Sequence, residues 1–184
     1  EVTTDPDHKF ELAVDLRNIG VAKEVLLETK DEGDSTDIQA KWKRLGDLAL
    51  HYGDIVLAQS CAEKAEDLSG LLLLYSSTGN REGIMRLARK SKEAGRANVA
   101  FLASFICGQI EQCIQLLIET NRLPEAAFFA RTYMPSKVHE ALELWKDDLK
   151  HVNEKAADAL ADPTKYPNLF PDLEVALQVE EMFK

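Results

Sequence analysis

Glycine, asparagine and proline interrupt this sequence at short intervals, and the stretches between them carry the three-to-four-residue periodicity of a buried helix face. Gly20, Gly53, Gly79, Gly108 and the Met134–Pro135 step are separated by 33, 26, 29 and 26 residues. Spacing in this range fits stacked helix–turn–helix units, each burying its apolar face only against its neighbours. Few other architectures tolerate breaks placed so often. The expected fold is all-α, an irregular solenoid of about five hairpins.

The apolar stripes place the helices. Phe10, Ala13 and Val14 mark a first helix near Asp7 to Asn18, and Ala22, Val25 and Leu26 a second after the Ile19-Gly20 break. Trp42, Leu45, Gly46 and Ala49 repeat at i, i+3, i+4, i+7 on a long third helix. Leu57, Ala58, Cys61 and Ala65 follow on the fourth, and Leu68 to Ser77 is apolar nearly all round, as a helix between neighbours would be. Ile84, Leu87, Ala88 and Ser91 define the sixth; Asn98 to Cys107, the seventh, is again largely apolar. Ile110, Cys113, Ile114 and Leu117 face inward on the eighth, Ala126, Phe129, Ala130 and Tyr133 on the ninth, and Val138, Ala141, Leu142 and Trp145 on the tenth. Pro124 suits the first turn of a helix. No strand alternation competes, and no strict tetratricopeptide consensus is visible. The fold class read here is a TPR-like α-solenoid of irregular hairpins.

Residues 1–160 form the solenoid segment in this reading. Asp147 to Leu160 is expected to supply an eleventh helix with Leu149, Val152, Ala156 and Ala159 inward. Pro163, Pro167 and Pro171 then forbid a continuous helix. Residues 161–184 accordingly read as a proline-containing linker and a C-terminal amphipathic helix, Asp172 to Phe183, that caps the stack or docks on a partner through Leu173, Ala176, Leu177 and Glu180. Asp31 to Ser35 reads as an acidic loop. The opening Glu1-Val2-Thr3-Thr4-Asp5-Pro6 has neither an initiator methionine nor a signal peptide, so the sequence is expected to be cut from a longer chain.

A formal charge of −10 disfavours nucleic-acid binding, which would need a strong basic patch against that field. No run approaches the ~18 apolar residues of a membrane span. Cys61, Cys107 and Cys113 lack a close-spaced pair and read as reduced, buried thiols of a cytosolic protein. Cys107 and Cys113 flank the Gly108 turn without further ligands at metal spacing. His8, His51, His139 and His151 are scattered; His139 and Glu143 lie one turn apart, but no second histidine completes H-E-x-x-H. Gly79 to Gly83 lacks the Lys-Ser/Thr ending and the preceding strand of a phosphate loop. No nucleophile elbow occurs, and acidic pairs such as Asp147-Asp148 are ordinary on an acidic surface. No catalytic residue, cofactor or metal is expected.

One charged feature stands apart. Arg81, Arg86, Arg89, Lys90, Lys92 and Arg96 concentrate positive charge on or beside the sixth helix. A solvated face accounts for such a run; the functional reading is contact with an acidic partner or an anionic membrane. Arg81, Arg86, Arg89, Lys90, Leu173 and Leu177 are the candidate partner-binding residues.

Particular strings add a resemblance. Lys41 to Ala49, Leu57-Ala58-Gln59, Leu71 to Leu74, Asn98 to Phe101 and Cys113 to Ile118 resemble, in order, the solenoids of the large coatomer subunits of the COPI coat. Arg122 to Ser136 (RLPEAAFFARTYMPS), Val152 to Ala157, Leu160 to Thr164 and Asn168 to Pro171 are similar to the beta-prime branch of that family. The acidic insertion Asp31 to Asp37 departs from the family pattern. The resemblance implies a structural segment of a vesicle coat, active in Golgi-to-ER and intra-Golgi transport and peripheral on Golgi membranes. It implies other coatomer subunits as partners, above all the alpha subunit's solenoid, and no substrate or nucleic acid. The family's cargo-reading propellers lie outside these residues. A TPR-like peptide-binding adaptor is the competing reading, and apolar fifth and seventh helices argue against its polar groove.

Overall fold

The structure is a computed structural model and describes residues 5–29 and 35–183. Twelve α-helices and no strand occur among the described residues. They are α1 Pro6–Asp15, α2 Ile19–Glu28, α3 Ser35–His51, α4 Ile55–Lys64, α5 Leu68–Ser77, α6 Arg81–Glu93, α7 Ala97–Ile106, α8 Ile110–Glu119, α9 Leu123–Tyr133, α10 Val138–Lys150, α11 Glu154–Ala159 and α12 Leu173–Met182. Short 3₁₀ turns occupy Pro135–Lys137 and Pro167–Leu169. The chain divides into two compact units, Glu1–Ser91 and Lys92–Lys184.

A two-residue device makes most of the turns. One residue takes the left-handed conformation and the next begins the following helix. Gly53, Gly79, Gly95 and Gly108 have φ between 66 and 75°, where a β-carbon would be strained. Arg17, Glu66 and Asn121 hold the same conformation without being glycine. Asn18, Asp54, Asp67 and Asn80 then cap α2, α4, α5 and α6, each side chain accepting the N–H three residues on. In the second unit Arg96, Gln109 and Arg122 stand at the cap position, and none makes a side-chain cap bond.

The first unit packs helix against sequential helix from α1 to α5. Phe10, Ala13, Ala22, Val25, Leu26, Trp42, Leu45 and Cys61 form its main core, joined by a second cluster of Ala49, Ala58 and Leu74. Gly46 permits the close approach of α3 and α4, because a β-carbon there would sit 3.1 Å from the Cys61 Cβ. Ion pairs stitch α3 to its neighbours: Arg44 to Glu11, Lys41 to Asp7 and Lys43 to Asp67, with Lys41 also paired to Asp37 one turn back on α3 itself. The carboxylate partners hold the Lys41 and Lys43 ammoniums above their ordinary range. Burial pushes the Cys61 thiol up to about 11, so it behaves as a small apolar side chain.

In the second unit α7 packs on α8, α8 on α9, α9 on α10 and α10 on α11. Leu117, Ala126, Ala127 and Ala141 form one buried cluster, and Ile114, Ala130 and Val138 another. Small residues on α9 bring its neighbours close. An aromatic group then joins α7 to α9: Phe129 lies 5.3 Å from Phe101 and 4.6 Å from Tyr133, and Phe105 lies 5.3 Å from Tyr133, centroid to centroid. Cys107 and Cys113 are buried, and burial raises the Cys113 thiol to about 11.

Several expectations are corrected. Gly20 is not a break; it lies inside α2, and the turn is made by Arg17 with Asn18 as cap. The eleventh helix does not span Asp147 to Leu160. α10 runs on to Lys150, a turn intervenes, and Asn153 caps the short α11. That interruption re-phases the stripe: Val152 is 82% exposed and Ala159 is exposed, whereas Ala157 is buried. Tyr133, expected inward, is half-exposed at the edge of the aromatic group. Leu177 is 38% exposed, because α12 rests lightly on the unit. Of the acidic segment Asp31 to Asp37, residues 31–34 lie outside the described residues, and Ser35, Thr36 and Asp37 belong to α3.

Candidate interaction surface

α6 shows the sharpest segregation of any helix in the chain. Gly83, Ile84, Leu87, Ala88 and Ser91 are buried, and the charges fall on the other side. Arg81 opens the helix and is exposed. Arg86 lies 3.8 Å from Glu82 across one turn, a contact too loose and too wet to neutralise it. Arg89 and Lys90 are exposed and have no ion pair among the described residues. Lys92, by contrast, is engaged with Glu119 at 2.8 Å. Of the six cations, then, Lys92 is engaged and Arg86 loosely paired, while Arg89 and Lys90 stand open beside Arg86. Leu173 and Leu177 belong to the other unit, on α12; Leu173 is half-buried and Leu177 more open.

The apolar surface carries a pattern that stripe analysis overlooks. Leu73, Leu102 and Phe128 are 67%, 47% and 59% exposed. Each lies six residues before a break, at Gly79, Gly108 and Met134 respectively. One register position in three successive hairpins therefore presents a large apolar residue to water. α5 and α7 contain no charged residue at all. The signal was present in the spacing, but periodicity alone does not separate an apolar residue facing the core from one facing outward.

Two polar arrangements also escape sequence reading. Asp162, wholly buried, accepts from the Thr164 amide and hydroxyl at 2.9 and 2.7 Å and from His139 Nδ1 at 2.9 Å. Burial pushes its carboxyl up, but the Thr164 and His139 bonds outweigh that and hold it below the usual carboxylate range. Ligand atoms of His139, Glu143 and Asp162 lie within 4.8 Å of one another. Lys165 Nζ stands 3.5 Å from Glu143 and 3.6 Å from Asp162, and Lys146 is 3.9 Å from Glu143. Ammonium groups already balance the carboxylates, so the cluster needs no ion. The second arrangement joins Ser136 to Glu180 on α12. Beside it lies a cleft of about 700 Å³ lined by Ile110, Tyr133, Met134, Val179 and Phe183 among others. No helix among the described residues is long and apolar enough to cross a membrane.

The helical hairpins define an all-α repeat fold, and comparison with known proteins specifies the family. The family model COPA/B TPR domain matches residues 1–146. The chain belongs to the COPA/B TPR domain family, and the expected all-α, TPR-like solenoid class holds. It is 53% identical over 181 residues to coatomer subunit beta'-1 of Oryza sativa subsp. japonica, covering 98% of this chain and 19% of the relative. Coatomer subunit beta'-1 of Arabidopsis thaliana is 52% identical over 98% of this chain and 19% of its own length. Coatomer subunit beta' of Rattus norvegicus is 46% identical over all of this chain, again 19% of its length. The resemblance to the beta-prime branch is thus borne out across the chain, which spans about a fifth of those relatives.

Proposed function

We propose that the chain is a structural segment of the COPI vesicle coat, a scaffold that joins coat subunits and performs no catalysis. The observation that carries this reading is the exposed apolar register of Leu73, Leu102 and Phe128, two of them on helices without a charge. A surface meant to stay in water places charge at such repeated positions; one meant for a neighbour does not. The names of the relatives support the coat assignment.

The finer reading follows. The partners are other coatomer subunits, above all the solenoid of the alpha subunit. The setting is the cytoplasmic coat, peripheral on Golgi membranes and COPI vesicles, in Golgi-to-ER and intra-Golgi transport. Residues 1–160 supply the solenoid surface, and 161–184 act as linker and capping or docking helix. Arg81, Arg86, Arg89 and Lys90 form a charged rim, and Leu173 and Leu177 an apolar edge. Apolar contacts carry the affinity, so binding is salt-sensitive only at the rim. A pull-down with the alpha subunit's solenoid at low and high salt tests this. Retention at both is expected; no retention by a chain shown helical by circular dichroism overturns the reading.

A further inference from the structure

Helix α12 is attached differently from the other long helices. None of its residues is buried, and Val175, Val179 and Met182 lie exposed along it. It touches the 135–137 turn, where Ser136 donates twice to the carboxylate of Glu180. The Ser136 amide reaches Oε2 at 2.8 Å and its hydroxyl reaches Oε1 at 2.5 Å. Hydrogen bonds to an ionised acceptor are about twice as strong as neutral ones. The apolar contacts that would otherwise fix the helix are incomplete: the cleft of about 700 Å³ runs between Ile110, Tyr133 and Met134 on one side and Val179 and Phe183 on the other.

We infer that the Glu180–Ser136 pair is a clamp that sets whether α12 is docked, and that α12 is a strap able to leave the unit while its core stays folded. The core clusters of this unit draw on α8, α9 and α10 and include no α12 residue, so release leaves them assembled and uncovers only the small cavity that Leu173 and Ala176 share with Val138. Ser136 is itself exposed, which places the clamp within reach of a partner. Once released, α12 uncovers Met134 and Pro135 in the cleft it now lines.

Amide hydrogen exchange on the 184-residue chain tests the clamp. Glu180→Gln removes the charge with little change of shape, and Ser136→Ala removes the hydroxyl bond. In the wild type, α12 amides are expected to be protected. Glu180→Gln is expected to speed their exchange about tenfold or more, and Ser136→Ala by less, because its amide bond remains. Amides of α8 to α10 are expected to stay unchanged in both. Unaltered α12 protection in Glu180→Gln overturns the clamp. Loss of protection throughout the unit, or an unprotected α12 in the wild type, overturns the strap.

Discussion

Asp162 Oδ2 lies 2.9 Å from His139 Nδ1, tying the segment that follows α11 back onto α10. The same carboxylate takes the Thr164 amide and hydroxyl, so a wholly buried charge is satisfied from three directions. Its own carbonyl accepts the amides of Lys165 and Tyr166. Asp162 therefore organises the turn between Pro163 and Pro167.

Replacing Asp162 with Ala removes the charged acceptor of the Thr164 amide and hydroxyl and of His139. A loss of about 1–3 kcal/mol is expected, read from denaturant midpoints. The pH dependence follows from the lowered carboxyl. A group more acidic in the folded state adds stability that is fully present above its unfolded value, near 4, and is lost as pH falls through the folded one. Stability that is flat from neutrality to about pH 5 and declines below about pH 4 is expected. The Asp162→Ala chain should show a shallower acid decline; an identical one contradicts the assignment.

Glu66 and Asp67 form one turn and predict opposite effects. Glu66 holds φ +52°, a conformation that costs a β-carbon-bearing residue roughly 1 kcal/mol. Glu66→Gly is expected to stabilise by about 0.5 kcal/mol, the strain relieved less the extra freedom of the unfolded chain. Asp67 caps α5 through the Gly70 amide at 2.9 Å and pairs with Lys43 at 2.9 Å. Asp67→Ala is expected to cost about 1 kcal/mol. Thermal or denaturant melts of the two variants should move to opposite sides of the wild type.

These turns show how far the sequence carries. Gly53, Gly79 and Gly108 are legible because the left-handed conformation favours glycine so strongly. Arg17, Glu66 and Asn121 do the same work invisibly, since a side chain does not announce a positive φ. Gly20 misleads for the converse reason: a glycine is tolerated in the first turn of α2, beside the Asn18 cap. Stripes were readable along most of the unbroken helices, as in α6; they failed at Tyr133, in the last turn of α9, at Leu177 on the lightly packed α12, and at Val152, where a turn at His151 to Asn153 resets the phase. Asp162 and Ser136–Glu180 were illegible because each joins residues more than twenty positions apart. The candidate surface was half legible: composition located the cations, but only the structure separates paired Lys92 from exposed Arg89 and Lys90.

Reversing Arg86, Arg89 and Lys90 to Glu should leave the fold intact, because all three are exposed and the stripe behind them is unchanged. Exposed charges of this kind steer association more than they hold it. The triple variant is expected to slow association with an acidic partner or anionic vesicles about tenfold at low salt, with the difference shrinking at high salt. Surface plasmon resonance against the alpha subunit's solenoid and liposome flotation separate the two sources. Unchanged rates in both assign α6 to a merely solvated face.

Leu102 and Phe128 provide the complementary test, because they are large, apolar and roughly half exposed. Exposed side chains contribute little to a fold, so Leu102→Asp should change stability by about 0.5 kcal/mol or less. Phe128 is less free, since its ring lies 5.7 Å from that of Trp145. Phe128→Asp is expected to cost about 1 kcal/mol through that lost contact. Binding responds differently. An aspartate desolvated at the centre of an apolar interface costs far more than at its rim, so each substitution is expected to weaken a coat-subunit contact by about tenfold or more. Comparing the two variants separates causes: Leu102→Asp lowers affinity at nearly unchanged stability only if its face meets the partner. Full affinity in Leu102→Asp, with the chain folded, would move the contact off the α7 face.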